Sequence, residues 1–234
     1  MTADPIIHMS SVDRIYTIAS KPFYALKNID LSVVEGEFMG LVGPSGSGKT
    51  SLLNLMGALD LPSNGHVNIL GHDTKTLTNR EAAHIRSTQL GFVFQHYQLL
   101  PVYTVYENVE FPLILLKIDP KQRYKAVMEA LEWVGLDDRR DSRPDQLSGG
   151  QCQRVAIARA MVKKPKLVLA DEPTANLDAE NSHIILKMMV QLNELFGTTF
   201  IFSTHDEKVI SYLRRKITME DGSITIDEQK LVGR

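Results

Sequence analysis

Apolar positions run through this chain in two periods. Leu26, Ile29, Leu31 and Val33 nearly alternate with polar neighbours, which predicts short strands between Ile15 and Leu41, antiparallel in part, with turns at Lys21-Pro22 and Glu35-Gly36. Phe38-Met39-Gly40-Leu41-Val42 is a continuous apolar strand that meets a glycine-rich turn. Beyond it Leu52, Leu53, Leu55, Met56 and Leu59 take helical spacing over Ser51 to Leu59. Val67-Asn68-Ile69-Leu70 and Gly91-Phe92-Val93-Phe94-Gln95 predict two further strands. Between Thr104 and Val162 helical spacing takes over, with Tyr124, Val127, Met128, Leu131 and Val134 on one face that Gly135 stops. Thr104-Val105-Tyr106-Glu107 fits a capping box, so a helix should start there. Leu167 to Ala170 and Thr199 to Ser203 read as strands of a parallel sheet. The helical face of Ile184, Ile185, Met188, Leu192 and Leu195 between them completes a βαβ crossover. The chain has no internal repeat, low-complexity tract or sustained heptads.

With 234 residues, 43% of them apolar, the chain can bury a full core as one medium-sized α/β domain or two tightly joined lobes. A net charge of −2 gives no broad basic field, which argues against nucleic acid as a partner. The single cysteine, Cys152, can form neither an internal disulfide nor a thiolate metal cage, and this fits a reducing, cytoplasmic compartment. The longest apolar run, Phe111 to Leu116, falls far short of the ~18 residues of a spanning helix, so the chain is expected not to cross a membrane. Asp4-Pro5 interrupts the N-terminus, which lacks the pattern of a cleavable leader.

Gly43-Pro44-Ser45-Gly46-Ser47-Gly48-Lys49-Thr50 matches G-x-x-x-x-G-K-[ST] between a buried strand and a helix, the setting of a phosphate-binding P-loop. Its glycines let backbone N–H groups converge on phosphate oxygens, Lys49 reaches the β- and γ-phosphates, and the Thr50 hydroxyl can ligate Mg²⁺. Leu167-Val168-Leu169-Ala170-Asp171-Glu172 is an apolar strand ending in two carboxylates. Asp171 is placed to hold Mg²⁺, and Glu172 to orient or deprotonate an attacking water. Leu147-Ser148-Gly149-Gly150-Gln151 opens another helix and so supplies a second anion-binding end. Because the P-loop already takes one side of a triphosphate, this second end makes most sense on a γ-phosphate held by another subunit. Two copies about a two-fold axis would then bury two nucleotides between them.

These strings resemble the nucleotide-binding subunit of an ABC transporter: Walker A (Gly43 to Thr50), signature (Leu147 to Gln151), Walker B (Leu167 to Glu172), D-loop (Ala175-Asn176-Leu177-Asp178) and switch histidine (His205), in family order. GFVFQ, ENV, LADEPTANLD and YALKNIDL at Tyr24 to Leu31 resemble in particular the branch of lipoprotein-release (LolD-type), macrolide-export (MacB-type) and cell-division (FtsE-type) ATPases. The resemblance covers nearly the whole chain. It implies a P-loop NTPase with a mixed sheet core and an antiparallel β subdomain (1–95 and 163–234), and an inserted helical subdomain over 96–162. It implies an ATPase using ATP and Mg²⁺, with nucleotide contacts from the Walker A residues, Ser51, Ser148, Gly149, Gly150, Gln151 and Asp171, and metal contacts from Thr50, Gln95 and Asp171. Tyr16 takes the place of an aromatic stacked on adenine, Gln95 that of the Q-loop that joins the helical lobe, and His205 that of the histidine holding the γ-phosphate and attacking water. The implied catalytic set is Glu172, His205, Gln95 and Lys49, with Asp178 at the dimer contact or capping the next helix.

Partners implied are a second copy of the chain, an integral-membrane permease and a periplasmic or outer accessory protein, with the ATPase peripheral on the cytoplasmic face of the membrane. Cargo would be a lipoprotein, lipid or hydrophobic compound; the alternative is an FtsE-type ATPase that signals through a permease-like partner to an enzyme outside. The apolar, aromatic stretch Leu99-Leu100-Pro101-Val102-Tyr103 into Tyr106 suggests a docking groove where the family places a coupling helix. A nucleotide kinase has no need of the Ser-Gly-Gly-Gln and Asp-Glu-Pro-Thr strings. A chromosome-maintenance ATPase would insert a coiled coil, a translation factor would carry two cassettes, and a GTPase would show Asn-Lys-x-Asp. Cys152 stands where the family usually has a polar residue; neutral drift is the favoured reading, and redox sensitivity is the alternative to test, because the position is one turn into a helix whose N-terminus can lower a thiol pKa. Met188-Met189 and Trp133 read as packing.

Overall fold

The computed structural model describes residues 5–230, so Asp4 of the leader reading and the outermost ends of the 1–234 cassette lie outside it. The chain divides into two compact units, one from the described residues of Met1–Arg86 and Thr199–Arg234, the other Ser87–Thr198. The stretch 96–162, expected as a helical insert, falls wholly within the second. Elements are numbered in chain order.

In the first unit β1 (Ile7–Ile18) and β2 (Lys21–Val33) form an antiparallel hairpin, and β4 (Asn64–Ile69) pairs with the other side of β1, followed by the short β5 (His72–Asp73). The hairpin turns at Ala19 and Ser20, with φ of 47° and 63°. Two consecutive left-handed residues match the twist of the flanking strands. Lys21-Pro22, expected as the turn, instead opens β2, and Pro22 is tolerated because β2 is an edge strand that needs no outward N–H. The same unit holds β3 (Phe38–Val42), parallel to both β8 (Thr199–Thr204) and β9 (Arg215–Glu220), while β10 (Ser223–Gln229) runs antiparallel to β9. The sheet is therefore mixed. Its apolar centre is aromatic: the Phe38 ring lies 5.7 Å from Phe200 and 4.8 Å from Phe202. Helices α1 (Lys49–Met56) and α7 (Glu207–Tyr212) follow β3 and β8. Leu59, expected on the face of α1, lies beyond its end and is 51% exposed.

Helix α2 (Asn79–Gln89) has no counterpart in the expected elements. It buries only Ile85, so apolar spacing carried no signal. Its start was nonetheless written as Thr78-x-x-Glu81: the Thr78 hydroxyl accepts from Glu81 N at 3.3 Å, and the Glu81 carboxylate accepts from Thr78 N at 2.8 Å.

In the second unit β6 (Leu90–Phe94) lies parallel to β7 (Leu167–Asp171), and helices α3 (Val105–Leu115), α4 (Pro120–Trp133), α5 (Gly149–Met161) and α6 (Ala179–Phe196) supply the rest. The expected capping box starts α3: Thr104 Oγ1 accepts from Glu107 N at 3.2 Å, and Glu107 returns an acceptor to Thr104 N at 2.7 Å. Helix α5 is the most enclosed, with Val155, Ala156, Ile157 and Ala158 all inaccessible. It approaches β6 closely, for a Cβ on Gly91 would lie 2.9 Å from Ala160 O. Tyr124 is 53% exposed, outside the buried face that Val127, Ala130 and Leu131 form on α4. Trp133 packs on Phe196 with ring centres 4.7 Å apart, and Met189 is fully buried, so these residues are packing. Among the described residues no helix is long and apolar enough to cross a membrane.

Candidate functional site

Strand β3 ends at Val42, and the loop Gly43–Gly48 leads directly into α1. Its glycines meet different demands. Gly46 and Gly48 have φ of +81° and +100°, in the left-handed region that disfavours a side chain. A Cβ on Gly43 would lie 2.2 Å from Met219 O, and one on Gly48 2.6 Å from Ala25 O, so backbone approaches closely on both. No side chain caps α1 at Gly48. The first turn of a helix carries N–H groups with no partner inside it, and here they face the loop with the positive end of the helix dipole behind them. Lys49, 8% exposed, donates from Nζ to Gly43 O at 2.7 Å and Pro44 O at 2.9 Å, holding an ammonium across the loop. Pro44, Ser45, Gly46 and Thr50 are exposed, Ser51 is half-buried, and the buried Ser47 hydroxyl has no hydrogen-bond partner.

Register brings His205 to this loop. Strands β3 and β8 run parallel with Val42 opposite Thr204, so Gly43 and His205 leave neighbouring strand ends together. His205 is exposed, and the next residue, Asp206, caps α7 by accepting from Lys208 N at 2.9 Å. Tyr16 sits on β1, with its hydroxyl donating to Asp60 Oδ2 at 3.0 Å and the Arg14 guanidinium 4.5 Å over its ring. Arg14 closes the triad through Nε to Asp60 Oδ2 at 2.7 Å. Sequence reading missed these two supports, although Arg14 lies two residues before Tyr16, on the same strand face.

The second unit repeats that register. Phe94 of β6 pairs with Asp171 of β7, so Gln95 and Glu172 emerge side by side from adjacent parallel strands. Asp171 and Glu172 are half-buried, and Glu172 has φ 45°. A glutamate rarely adopts that conformation, and the turn behind it holds it there: Ala175 N donates to Glu172 O at 3.2 Å and Leu177 N to Thr174 O at 3.0 Å. Asp178 caps α6, accepting from Asn181 N at 2.9 Å and Asn181 Nδ2 at 2.6 Å, which holds its carboxyl below the usual range.

Ser148 caps α5: its Oγ accepts from Gln151 N at 3.3 Å, and Gln151 Oε1 accepts from Ser148 N at 2.8 Å. The first intrahelical bond runs from Cys152 N to Ser148 O, leaving the amides of Gly149 and Gly150 ahead of it. Both glycines are tightly flanked. A Cβ on Gly149 would come 2.8 Å from the Tyr97 hydroxyl, and one on Gly150 2.5 Å from Asn181 Oδ1. Cys152 is 8% exposed and burial raises its thiol pKa, which speaks for the inert reading over redox sensitivity.

A family model described as ABC transporter matches residues 26–175. The chain belongs to the ABC transporter family. Over 219 residues the cassette is 43% identical to the ABC transporter ATP-binding protein YknY of Bacillus subtilis (strain 168), covering 94% of this chain and 95% of that one. It is also 43% identical over 227 residues, 97% of its length, to the macrolide export ATP-binding/permease protein MacB of Chlorobium phaeobacteroides, of which it spans 34%. The ATP-binding protein MJ0796 of Methanocaldococcus jannaschii is 41% identical over 228 residues, covering 96% of this chain and 97% of that one. A solved dimeric structure of MJ0796 in a post-hydrolysis state, bound to ADP and Pi, matches the cassette with a TM-score of 0.89 at 39% identity, over 97% of this chain and all of that one.

Proposed function

We propose that this chain is the ATP-binding and ATP-hydrolysing subunit of a MacB/LolD-type ABC exporter, working as a homodimer on a separate membrane permease whose cargo is a lipoprotein, lipid or hydrophobic compound. The observation that carries the ATPase reading is the uncapped α1 N-terminus beneath a loop that also holds the Lys49 ammonium. Such a cradle supplies backbone donors, a helix dipole and a fixed positive charge to a polyphosphate.

In this reading Gly43 to Ser51 grip the phosphates and Tyr16, braced by Arg14 and Asp60, stacks on adenine. The donor set of Thr50, Gln95 and Asp171 is all oxygen and suits Mg²⁺ completed by phosphate oxygens and water. When bound, Mg²⁺ neutralises charge developing on the phosphates. Glu172 accepts a proton from the attacking water, while Gln95 and His205 hold that water and the γ-phosphate. Ser148, Gly149, Gly150 and Gln151 of a second copy close over the γ-phosphate, the backbone donors being the Gly149 and Gly150 amides that the Ser148–Gln151 capping box leaves ahead of the first bond of α5, and Asp178 lies at the dimer seam. The ATPase is peripheral on the cytoplasmic face of the membrane, with an accessory protein beyond the permease. Leu100, Val102 and Tyr103, 36%, 71% and 36% exposed, form the surface on which the permease docks, borne by the 96–162 helical subdomain.

Glu172→Gln tests the chemistry. Turnover should fall by about two to three orders of magnitude while ATP still binds and holds a dimer; turnover at the wild-type rate contradicts the assignment. Tyr103→Asp should lower co-purification with the permease and leave ATP binding intact.

A further inference from the structure

Asn176 sits in the turn between β7 and α6, beyond Glu172 and before Asp178, and its side chain reaches back to the other strand end. Nδ2 donates to Gln95 O at 3.0 Å and lies 3.3 Å from His96 Nδ1. A carbonyl only accepts, so the amide nitrogen faces Gln95, and its second hydrogen is available to His96 Nδ1, which then acts as the acceptor with the ring proton on Nε2. Strand β6, Gln95, Asn176, the turn, Glu172 and strand β7 thus form a closed circuit. The circuit fixes where the Gln95 side chain begins relative to the Glu172 carboxylate.

The segment that Asn176 holds needs support. Tyr97 and Gln98 follow with φ of 56° and 47°, two consecutive left-handed non-glycine residues. Such a backbone persists only where its surroundings over-determine it. Arg159 of α5 anchors the far end, donating from Nη2 to Tyr97 O at 2.8 Å and from Nη1 to Gln98 O at 2.6 Å. Asn176 anchors the near end, at Gln95 and His96. Arg159 ties the segment to the signature helix, and Asn176 alone in this pair ties it to the turn that bears Glu172.

We infer that Asn176 is a positioning residue for hydrolysis, acting through Gln95 by holding the Q-loop carbonyl to the turn between Walker B and α6. The inference rests on the proposed function, in which Gln95 and Glu172 serve one reaction. Its test is a double-mutant cycle in the dimer-forming full chain. Asn176→Leu keeps the volume and removes the donor; kcat should fall about three- to tenfold, the scale of one net hydrogen bond, while ATP affinity and Tm stay near wild type. In a Gln95→Ala background the same substitution should change kcat less than about twofold, because its effect passes through the missing side chain. A purely structural role would instead lower Tm and multiply its loss into the Gln95→Ala variant. Asn176→Ala carries the same cycle should the leucine variant not fold. Undiminished kcat in the single variant, or a full-sized further loss in the double variant, overturns the inference while leaving the ATPase reading intact. A wild-type chain that hydrolyses no ATP overturns both.

Discussion

Replacing Gly48 and Gly46 separately with alanine separates two reasons for glycine in a phosphate loop. Both residues have positive φ, +100° and +81°, so an alanine at either carries a backbone cost of about 1–2 kcal/mol. Only Gly48 adds a collision. Its Cβ would sit 2.6 Å from Ala25 O and 3.0 Å from Leu26 Cδ2, and the carbonyl belongs to β2, which cannot yield without disturbing its pairing with β1. Overpacking of that kind adds roughly 1–3 kcal/mol. A Cβ on Gly46 meets nothing within 4 Å and points into open space at the mouth of the loop. Urea unfolding should therefore rank Gly48→Ala clearly below Gly46→Ala in stability, by about 1–3 kcal/mol at equal m-values. Titration with a fluorescent ATP analogue should show a large affinity loss in Gly46→Ala, a variant that stays folded. Equal unfolding midpoints would refute the close-approach reasoning, and undiminished affinity in Gly46→Ala would refute the placement of phosphate over that glycine.

Two further outcomes test local electrostatics. Arg215 donates to Glu37 at 2.9 Å and to Asp227 at 2.7 Å, and holds the Asp227 carboxyl below its usual range. A depressed carboxylate adds stability above its unfolded pKa and loses it as pH falls through the folded value. Asp227→Asn should thus cost about 1 kcal/mol or less at neutral pH, since Asp227 is 45% exposed, and in an acid denaturation series the difference should begin to shrink near the unfolded carboxylate pKa of about 4 and vanish only once pH has passed below the lowered folded value. The buried Cys152 thiol, pushed up by desolvation, should alkylate at neutral pH at least about tenfold more slowly in native than in urea-unfolded protein, and Cys152→Ser should keep ATPase activity within about twofold.

The strand–loop–helix of Walker A, the buried parallel strands, the capping box at Thr104 and the helix start at Ser148 were legible because each is a local rule: an apolar run, a glycine spacing, a polar residue ahead of a helix-forming run. The Ala19-Ser20 turn was not, because neither residue carries the usual left-handed signal, while the adjacent Pro22 is a turn former that drew the reading two residues on. Helix α2 escaped the apolar period by burying one side chain. The two readings of Cys152 could not be separated from the string, because burial depends on tertiary packing that no local string encodes. The adjacency of Gly43 to His205, and of Gln95 to Glu172, follows from strand register and was implied only by family resemblance. Arg14 and Asp60 behind Tyr16, and Asn176 across Gln95, join residues far apart in sequence or across a turn, where spacing is silent.

In the proposed ATPase one copy of the chain supplies only part of a working site. Specific ATPase activity measured across a dilution series, with light scattering on the same samples, tests it most directly. Activity per chain should rise with protein concentration in step with the dimer and fall toward zero where monomer predominates. A constant activity per chain in samples that scatter as monomer would mean that a single copy holds a complete site.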